Sequence, residues 1–217
     1  MGRIDLNDVL QKPVEILKGN YDFFVPPLIP AVFDLVAGPK YGGYGFSISY
    51  SLLVSAVSLI LGIIASGALV YMAEVELNGE RASYREGLNV ALERLGDLVI
   101  ASLIIGVGFV IGLILLIIPG LLWLILTAFA VPLVILENMD GVGAVTESIR
   151  LVRENFSEVL VYLVVLIAIV FVVSVVLDFI PYLGPFVASL LVTPYVSISL
   201  TMAYHQLSGE TIGEESF

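Results

Sequence analysis

The fold is decided by residues 98–136, which read LVIASLIIGVGFVIGLILLIIPGLLWLILTAFAVPLVIL. This stretch contains no charged side chain. It is too long for one membrane crossing, because a helix needs only about 20 residues to span the hydrocarbon core. Pro119 and Gly120 divide it, and a Pro-Gly pair is typical of a turn or a helix break. We therefore predict two crossing helices, at 98–118 and 121–136, joined by a tight hairpin.

The composition of the whole chain agrees with a membrane protein. Of its 217 residues, 59% are hydrophobic and 13% are charged, and the mean hydropathy is +1.06. Soluble domains are about 45–50% apolar and about 25% charged. A water-soluble fold could not hide this much apolar surface, so lipid is the expected solvent. The sequence predicts an all-α polytopic transmembrane bundle.

Composition also excludes several kinds of site. The net charge of −11 and the isoelectric point near 4.3 argue against a nucleic-acid partner. The sequence has no cysteine, which excludes disulfides and thiolate metal sites, and its single histidine, His205, argues against zinc. It contains no P-loop, dinucleotide-binding or metalloprotease motif. We therefore expect no cofactor and no enzymatic activity.

Four further apolar runs bring the predicted number of crossings to six. Three of them, 46–73, 159–177 and 186–203, are long enough for a crossing helix. The run from Tyr21 to Gly38 is short and contains three prolines, at positions 26, 27 and 30. It is either a broken crossing or a re-entrant element. A re-entrant element would reduce the count to five and move the N-terminus to the other side.

One pattern recurs three times along the chain: an amphipathic helix, a crossing, a Pro/Gly turn and a second crossing. The three units are residues 5–76, 82–138 and 142–206. Together they form a single transmembrane domain, residues 1–207, followed by an acidic and flexible tail at 208–217. We therefore predict three hairpins, each preceded by a cytoplasmic amphipathic helix in the membrane interface.

Proline spacing supports this repeat. Pro119 and Pro132 of the second unit match Pro181 and Pro194 of the third, with a separation of 62 residues in both cases (181 − 119 and 194 − 132). The second amphipathic helix is predicted to begin at a capping box formed by Ser83 and Glu86.

Basic residues indicate the orientation. Only Lys40 lies on the side opposite the amphipathic helices. The other eight of the nine Lys and Arg residues lie on the amphipathic side, at Arg3, Lys12, Lys18, Arg81, Arg85, Arg94, Arg150 and Arg153. The positive-inside rule makes that side cytoplasmic. We predict a multi-pass protein of the cell membrane with both termini in the cytoplasm.

Four carboxylates in apolar surroundings are candidate ligand or ion sites. Asp34 and Asp178 lie near the outer ends of the first and fifth crossings, where they are either interface-exposed helix ends or contacts for an ion or ligand. Glu74 and Glu137 end the second and fourth crossings. They are expected to pair with Arg81, Arg85 or Arg150, and a proton-relay role is the alternative.

Small residues form two stripes at helical spacing. Gly108 and Gly112 make a small-x-x-x-small motif in the third crossing, and Gly62 and Ser66 belong to a second stripe with Ser55 and Ser58. Close helix packing explains both stripes, with a substrate groove as the alternative.

Residues 79–156 resemble a known family. The matching features are Pro119-Gly120, Pro132, Glu137 and a segment containing Ser148, Arg150 and Asn155-Phe156. They are similar to a family of bacterial and archaeal polytopic membrane proteins of poorly defined function, which includes the membrane domain fused to some glycerophosphodiester phosphodiesterases. The resemblance implies a membrane module and not an enzyme, because the sequence has no soluble block that could hold the catalytic domain.

Two functions follow from these observations. The first is a non-enzymatic membrane protein that organises the membrane or binds lipids or a partner through its interfacial helices. Its expected partners are membrane lipids and a second copy of the chain or another membrane protein. The alternative is a small transporter or channel for an ion or solute that uses the outer carboxylates Asp34 and Asp178.

Overall fold

A computed structural model describes residues 3–37, 48–179 and 184–209, and within these ranges the chain is helical with no strand. The helices are α1 Leu6–Gly19, α2 Val25–Ala37, α3 Ile48–Leu77, α4 Tyr84–Glu93, α5 Leu95–Leu115, α6 Ile117–Leu126, α7 Ala130–Leu136, α8 Gly141–Glu154, α9 Phe156–Asp178 and α10 Gly184–Ser208. A 3₁₀ turn, Tyr21–Phe24, leads into α2. The part of the predicted acidic tail beyond Gly209 lies outside the described residues.

The described part of the chain contains five helices that are long and apolar enough to cross a membrane. They are Tyr50–Leu77, Leu95–Leu115, Ile117–Leu136, Phe156–Leu177 and Phe186–Ser208. The helix α2 has 13 residues and extends for only about 20 Å, which is shorter than a hydrocarbon core of about 30 Å. The five long helices indicate insertion into a membrane.

The break between α5 and α6 lies three residues before the predicted position. Leu116 is extended, with φ −173° and ψ 156°, and α6 begins at Ile117. Pro119 therefore lies in the first turn of α6, where a proline removes no intrahelical hydrogen bond. The prediction that Pro119-Gly120 itself divides the two helices was wrong, because the first turn of a helix tolerates the ring.

Glycines bring α5 and α6 into close contact. A Cβ atom added at Gly112 would lie 2.6 Å from Gly120 Cα, and one added at Gly108 would overlap the indole ring of Trp123. That ring is held in place, since Trp123 Nε1 donates to the Ile105 carbonyl at 3.1 Å. Small residues at these positions let the two helices approach at backbone distance.

Three helices, α3, α7 and α10, contact one another and form the centre of the bundle. Their facing side chains are fully buried, as at Leu69, Met72, Val134, Ile198 and Met202. Other helices pack around this centre, with α2 against α3 and α10, α5 against α3 and α6, and α9 against α10.

The short helices α1, α4 and α8 occupy related positions. Each packs on one of the three central helices: α1 on α10, α4 on α3 and α8 on α7. Gly87 of α4 allows one such contact, because a Cβ there would lie 2.8 Å from the Ala68 carbonyl oxygen of α3. This shared relationship is compatible with the predicted threefold repeat, which stays a prediction.

Hydrogen bonds place α1 at the end of the bundle where α10 finishes. The Asp5 amide donates to Gln206 Oε1 at 2.8 Å, and Ser199 Oγ donates to the Val9 carbonyl at 2.8 Å. We call this the proximal end, defined by Glu74, Glu137 and His205. Both α1 and the last turn of α10 therefore lie at the proximal end.

Two contacts show how the N-terminal segment runs through the bundle. Asn20 is buried at the proximal end, where its Nδ2 donates to Glu76 Oε2 at 2.8 Å. Ala37, at the end of α2, accepts a 3.0 Å hydrogen bond from the Tyr50 hydroxyl at the start of α3. We call this opposite end, defined by Ala37 and Tyr50, the distal end. Residues 20–37 therefore connect the two ends.

The predicted capping box at α4 does not form. The helix begins after Ser83 as expected, but the Ser83 side chain makes no capping hydrogen bond. The entry to α4 is held instead by Glu76, whose Oε2 accepts from the Ala82 amide at 3.0 Å. A carboxylate from the preceding helix thus replaces the local cap.

We predict that Gly112→Ala lowers the stability of the bundle by about 1–3 kcal/mol, because the new methyl group must push against the backbone of Gly120. Thermal unfolding in detergent measures the effect. Gly106→Ala in the same helix is the control, since a Cβ there meets nothing within 4 Å. Equal melting temperatures for the two variants would contradict the close approach.

Candidate functional site

A polar cavity of about 550 Å³ lies between α2, α3, α5, α7 and α10. Its walls combine aliphatic groups and prolines with one carboxylate and a set of hydroxyls. The polar lining residues are Asp34, Ser55, Ser58, Ser66, Ser102, Ser189 and Thr193. A group of hydrogen-bonding side chains thus lies in an open cavity between apolar helices.

Helical spacing explains the contribution of α3 to this cavity. Ser55, Ser58, Gly62 and Ser66 follow one another at intervals of three or four residues, so they share one face of the helix. A Cβ added at Gly62 would meet no atom within 4 Å. The glycine therefore leaves open space in the cavity wall, whereas Gly108 and Gly112 lie against another helix.

Asp34 supplies the charge of the cavity. It is the only ionisable side chain among the described lining residues, and it is partly exposed. A carboxylate among membrane-spanning helices is unfavourable unless it meets polar groups, a cation or water. Hydroxyls both donate and accept hydrogen bonds, so they can serve the carboxylate and a bound molecule together.

Packed apolar side chains separate the cavity from the proximal end. Along α3, Ser66 is followed by Leu69 and Met72 before Glu74 is reached. On α10, Ile198 and Met202 follow Thr193, and these four apolar side chains are fully buried. Within the described residues, the cavity therefore ends at a layer of buried apolar side chains in the proximal half of the bundle, which we call the dry layer.

A second polar cluster lies at the proximal end. His205 Nε2 and Glu74 Oε2 share a hydrogen bond, and the Tyr204 hydroxyl donates to Glu137 Oε1 at 2.8 Å. The rings of Tyr204 and His205 lie 5.6 Å apart in an edge arrangement. The last turn of α10 thus contacts the ends of α3 and α7 through neighbouring side chains.

These partners differ from the expected arginines. Arg150 contacts Glu147 and Glu154 on its own helix, and Arg85 donates to the Tyr84 hydroxyl at 3.2 Å. The hydrogen bond from Arg150 lowers the pKa of the Glu147 carboxyl. The prediction for Glu74 and Glu137 was wrong about their partners because local i,i+3 and i,i+4 pairs satisfy Arg150 first.

A family model matches residues 42–213, which is more than half of the chain, and its description is a family of unknown function, DUF7544. The chain belongs to DUF7544. No curated protein and no solved structure matches it. The matched residues include α3 to α10, whereas α1, α2 and Asp34 precede them. The resemblance to the membrane domain of glycerophosphodiester phosphodiesterases stays a prediction, since the DUF7544 match carries no such link.

The structure brings some of the predicted site residues of this DUF7544 chain together. Asp34, Gly62 and Ser66 share the cavity, and Glu74 and Glu137 meet the same turn of α10. Asp178 ends α9, and its side chain lies outside the described part. In the described ranges, no group of three or more His, Asp or Glu residues could hold a metal ion.

Three lining hydroxyls were not predicted. Ser189 and Thr193 are four residues apart on α10, the spacing that marked the stripe on α3, so the same pattern could have found them. Ser102 stands alone in an apolar run, and nothing in its local sequence distinguishes it from a hydroxyl that faces lipid or a helix backbone.

We predict that Glu74 and His205 are energetically coupled. Glu74→Ala and His205→Ala should each lower the melting temperature in detergent, and the double variant should lose less than the sum, with a coupling of about 0.5–3 kcal/mol. The exposed Asp8–Lys12 pair, 3.0 Å apart, is the matched control, and its coupling should stay below about 1 kcal/mol. Additive losses at Glu74 and His205 would contradict the contact.

Proposed function

We propose that this member of DUF7544 is a non-enzymatic, multi-pass protein of the cell membrane that binds a small cation or polar solute in the Asp34 cavity. The observation that supports this proposal is a cavity between apolar helices that one carboxylate and six hydroxyl side chains line together. The sequence adds support for a non-enzymatic role, because it contains no catalytic motif.

The chemistry of the cavity favours a cation or a hydroxyl-rich solute. Asp34 would attract positive charge, and in a medium of low dielectric this attraction is stronger than in water. Ser66, Ser102 and Thr193 come from three different helices, so together they can surround a ligand with donors and acceptors.

The dry layer favours a binding site over an open channel. Leu69, Met72, Ile198 and Met202 close the path between the cavity and the proximal end. A transporter of this design would have to move α3 against α10 to let the solute pass. Binding from the distal side, followed by such a movement, is the transport mechanism compatible with this arrangement.

Six crossings and cytoplasmic termini are part of the proposal. The Asn20–Glu76 and Tyr50–Ala37 contacts support a first crossing by residues 20–37, because they lie at opposite ends of α3. The short α2 can serve in this position because it packs on α3 and α10. The bias of Lys and Arg toward the proximal end supports a cytoplasmic location for that end.

The absence of cysteine from the sequence allows a direct test of this topology. Single cysteines replace the exposed residues Gln11, Val36 and Ser208 in intact cells. A membrane-impermeant maleimide should label Val36→Cys from outside, and should reach Gln11→Cys and Ser208→Cys only after the membrane is permeabilised. External labelling at Gln11→Cys with Ser208→Cys still protected would indicate five crossings instead.

Ligand binding is tested by thermal unfolding in detergent with sodium, potassium or ethanolammonium chloride, or glycerol, at constant ionic strength. We expect one or more of these probes to raise the melting temperature of the wild type, since a ligand at about ten times its Kd adds about 1.4 kcal/mol. For a cation, Asp34→Asn should abolish the shift. Asp22→Asn is the control, because Asp22 lies on the 3₁₀ turn and does not line the cavity.

Two results would contradict the proposed site. One is a wild type that none of the probes stabilises. The other is a cation shift that is the same size in the Asp34→Asn variant as in the wild type.

The role in membrane organisation or in lipid or partner binding remains the second candidate. The feature that favours it is an apolar groove between α1, α9 and α10.

A further inference from the structure

A groove of about 480 Å³ separates α1 and the 3₁₀ turn from α9 and α10. Its walls are almost entirely apolar, with Val14 and Leu17 on α1, Ile169 and Val173 on α9, and Leu191 on α10. Val14 is 41% exposed and Leu191 is 42% exposed, so the groove is uncovered in the isolated chain. In a membrane, an open apolar groove between crossing helices is accessible to lipid chains.

The groove has one polar end. Lys18, in the last turn of α1, lies on its rim together with Tyr21. Two residues after Lys18, the buried Asn20 side chain bonds Glu76 near the end of α3. This contact places Lys18 at the proximal end, where lipid headgroups would lie.

The apolar part of the groove extends far from that end. Ile169 is 13 residues beyond the start of α9 at Phe156 (169 − 156), a distance of about 20 Å along the helix. The groove therefore runs from the headgroup region toward the middle of the hydrocarbon core. The hydroxyl of Tyr195 helps to preform it, because it donates to the Leu10 carbonyl at 3.2 Å and so holds α1 against α10.

We propose that this groove is a binding site for a phospholipid, with one acyl chain between α1 and α9 and the phosphate at the Lys18 ammonium. The charge at the rim is complementary to a phosphate, and the walls are complementary to an acyl chain. An anionic lipid such as phosphatidylglycerol is favoured over phosphatidylcholine, whose own choline cation competes with Lys18 for the phosphate. This inference does not depend on the Asp34 cavity.

The test uses the full chain reconstituted in vesicles of equal parts phosphatidylcholine and phosphatidylglycerol. After gentle detergent extraction, native mass spectrometry counts the lipids that remain bound. The wild type should retain one phosphatidylglycerol. Lys18→Gln should reduce its retention about fivefold, the factor that corresponds to about 1 kcal/mol for one basic group near an anionic lipid.

Filling the groove is an independent test. Val173→Trp and Leu191→Trp should each displace the lipid, because an indole would occupy the space of the acyl chain. Val164→Trp is the matched control on α9, since Val164 is 57% exposed and does not line the groove. Lys12→Gln is the charge control on α1, where Lys12 already pairs with Asp8. Both controls should retain the lipid, and the melting temperature of each variant verifies its fold.

Three outcomes would overturn the proposal. The first is a wild type that retains no phospholipid. The second is retention that Lys18→Gln and both groove-filling variants leave unchanged. The third is a dimer of the wild type that Val173→Trp dissociates, which would assign the groove to a second copy of this chain.

Discussion

Inside a lipid bilayer no water is available to the peptide groups, so each backbone amide and carbonyl must find its hydrogen bond within the protein. The long apolar helices of this chain meet that requirement with their own backbone hydrogen bonds. A proline is tolerated at a position where the helix has no hydrogen bond to lose. Pro119 lies in the first turn of α6, where no intrahelical donor is lost.

The lipid environment also leaves little hydrophobic driving force between helices, because lipid is as apolar as leucine. Association of the helices then depends on how closely their surfaces fit. Gly112 of α5 and Gly87 of α4 improve the fit, because they let the backbones of neighbouring helices approach each other.

The packing of α3, α7 and α10 decides where polar groups can exist. In the proximal half these helices interlock through Leu69, Met72 and Ile198, and the layer is dry. In the distal half small side chains such as Ser66 and Gly62 leave space between helices, and the space is lined with hydroxyls around Asp34. At the proximal end itself, polar contacts return as the Glu74–His205 and Glu137–Tyr204 pairs. One helix, α10, takes part in all three layers, so a movement of α10 would affect the cavity, the dry layer and the proximal contacts together.

Sequence patterns predicted the elements better than their contacts. Apolar runs located the long helices, and amphipathic spacing located α1, α4 and α8, because both signals depend on residues close together in the chain. The predicted arginine partners of Glu74 were wrong. Arg150 pairs with Glu147 and Glu154 within its own helix. Glu74 instead contacts His205, which lies 131 residues away in the sequence. The predicted capping box of α4 was wrong for a similar reason. The contact at the start of α4 comes from Glu76 of the preceding helix, which accepts from the Ala82 amide. The sequence analysis recognised the small-residue stripe on α3, which lines the cavity. It did not recognise Ser189 and Thr193, the cavity hydroxyls on α10.

By itself, the sequence indicated insertion into a membrane, because a chain that is 59% hydrophobic can satisfy its side chains and its backbone together as lipid-embedded helices. It also predicted most of the helical stretches and showed which carboxylates lie among apolar neighbours. Only the tertiary structure decided that Asp34 shares a cavity with Ser66, Ser102 and Thr193, and that Gly62 opens space while Gly112 closes it. The physical reason is that a helix presents several faces, and its rotation against its neighbours decides whether a small residue meets a backbone, a lipid or a cavity.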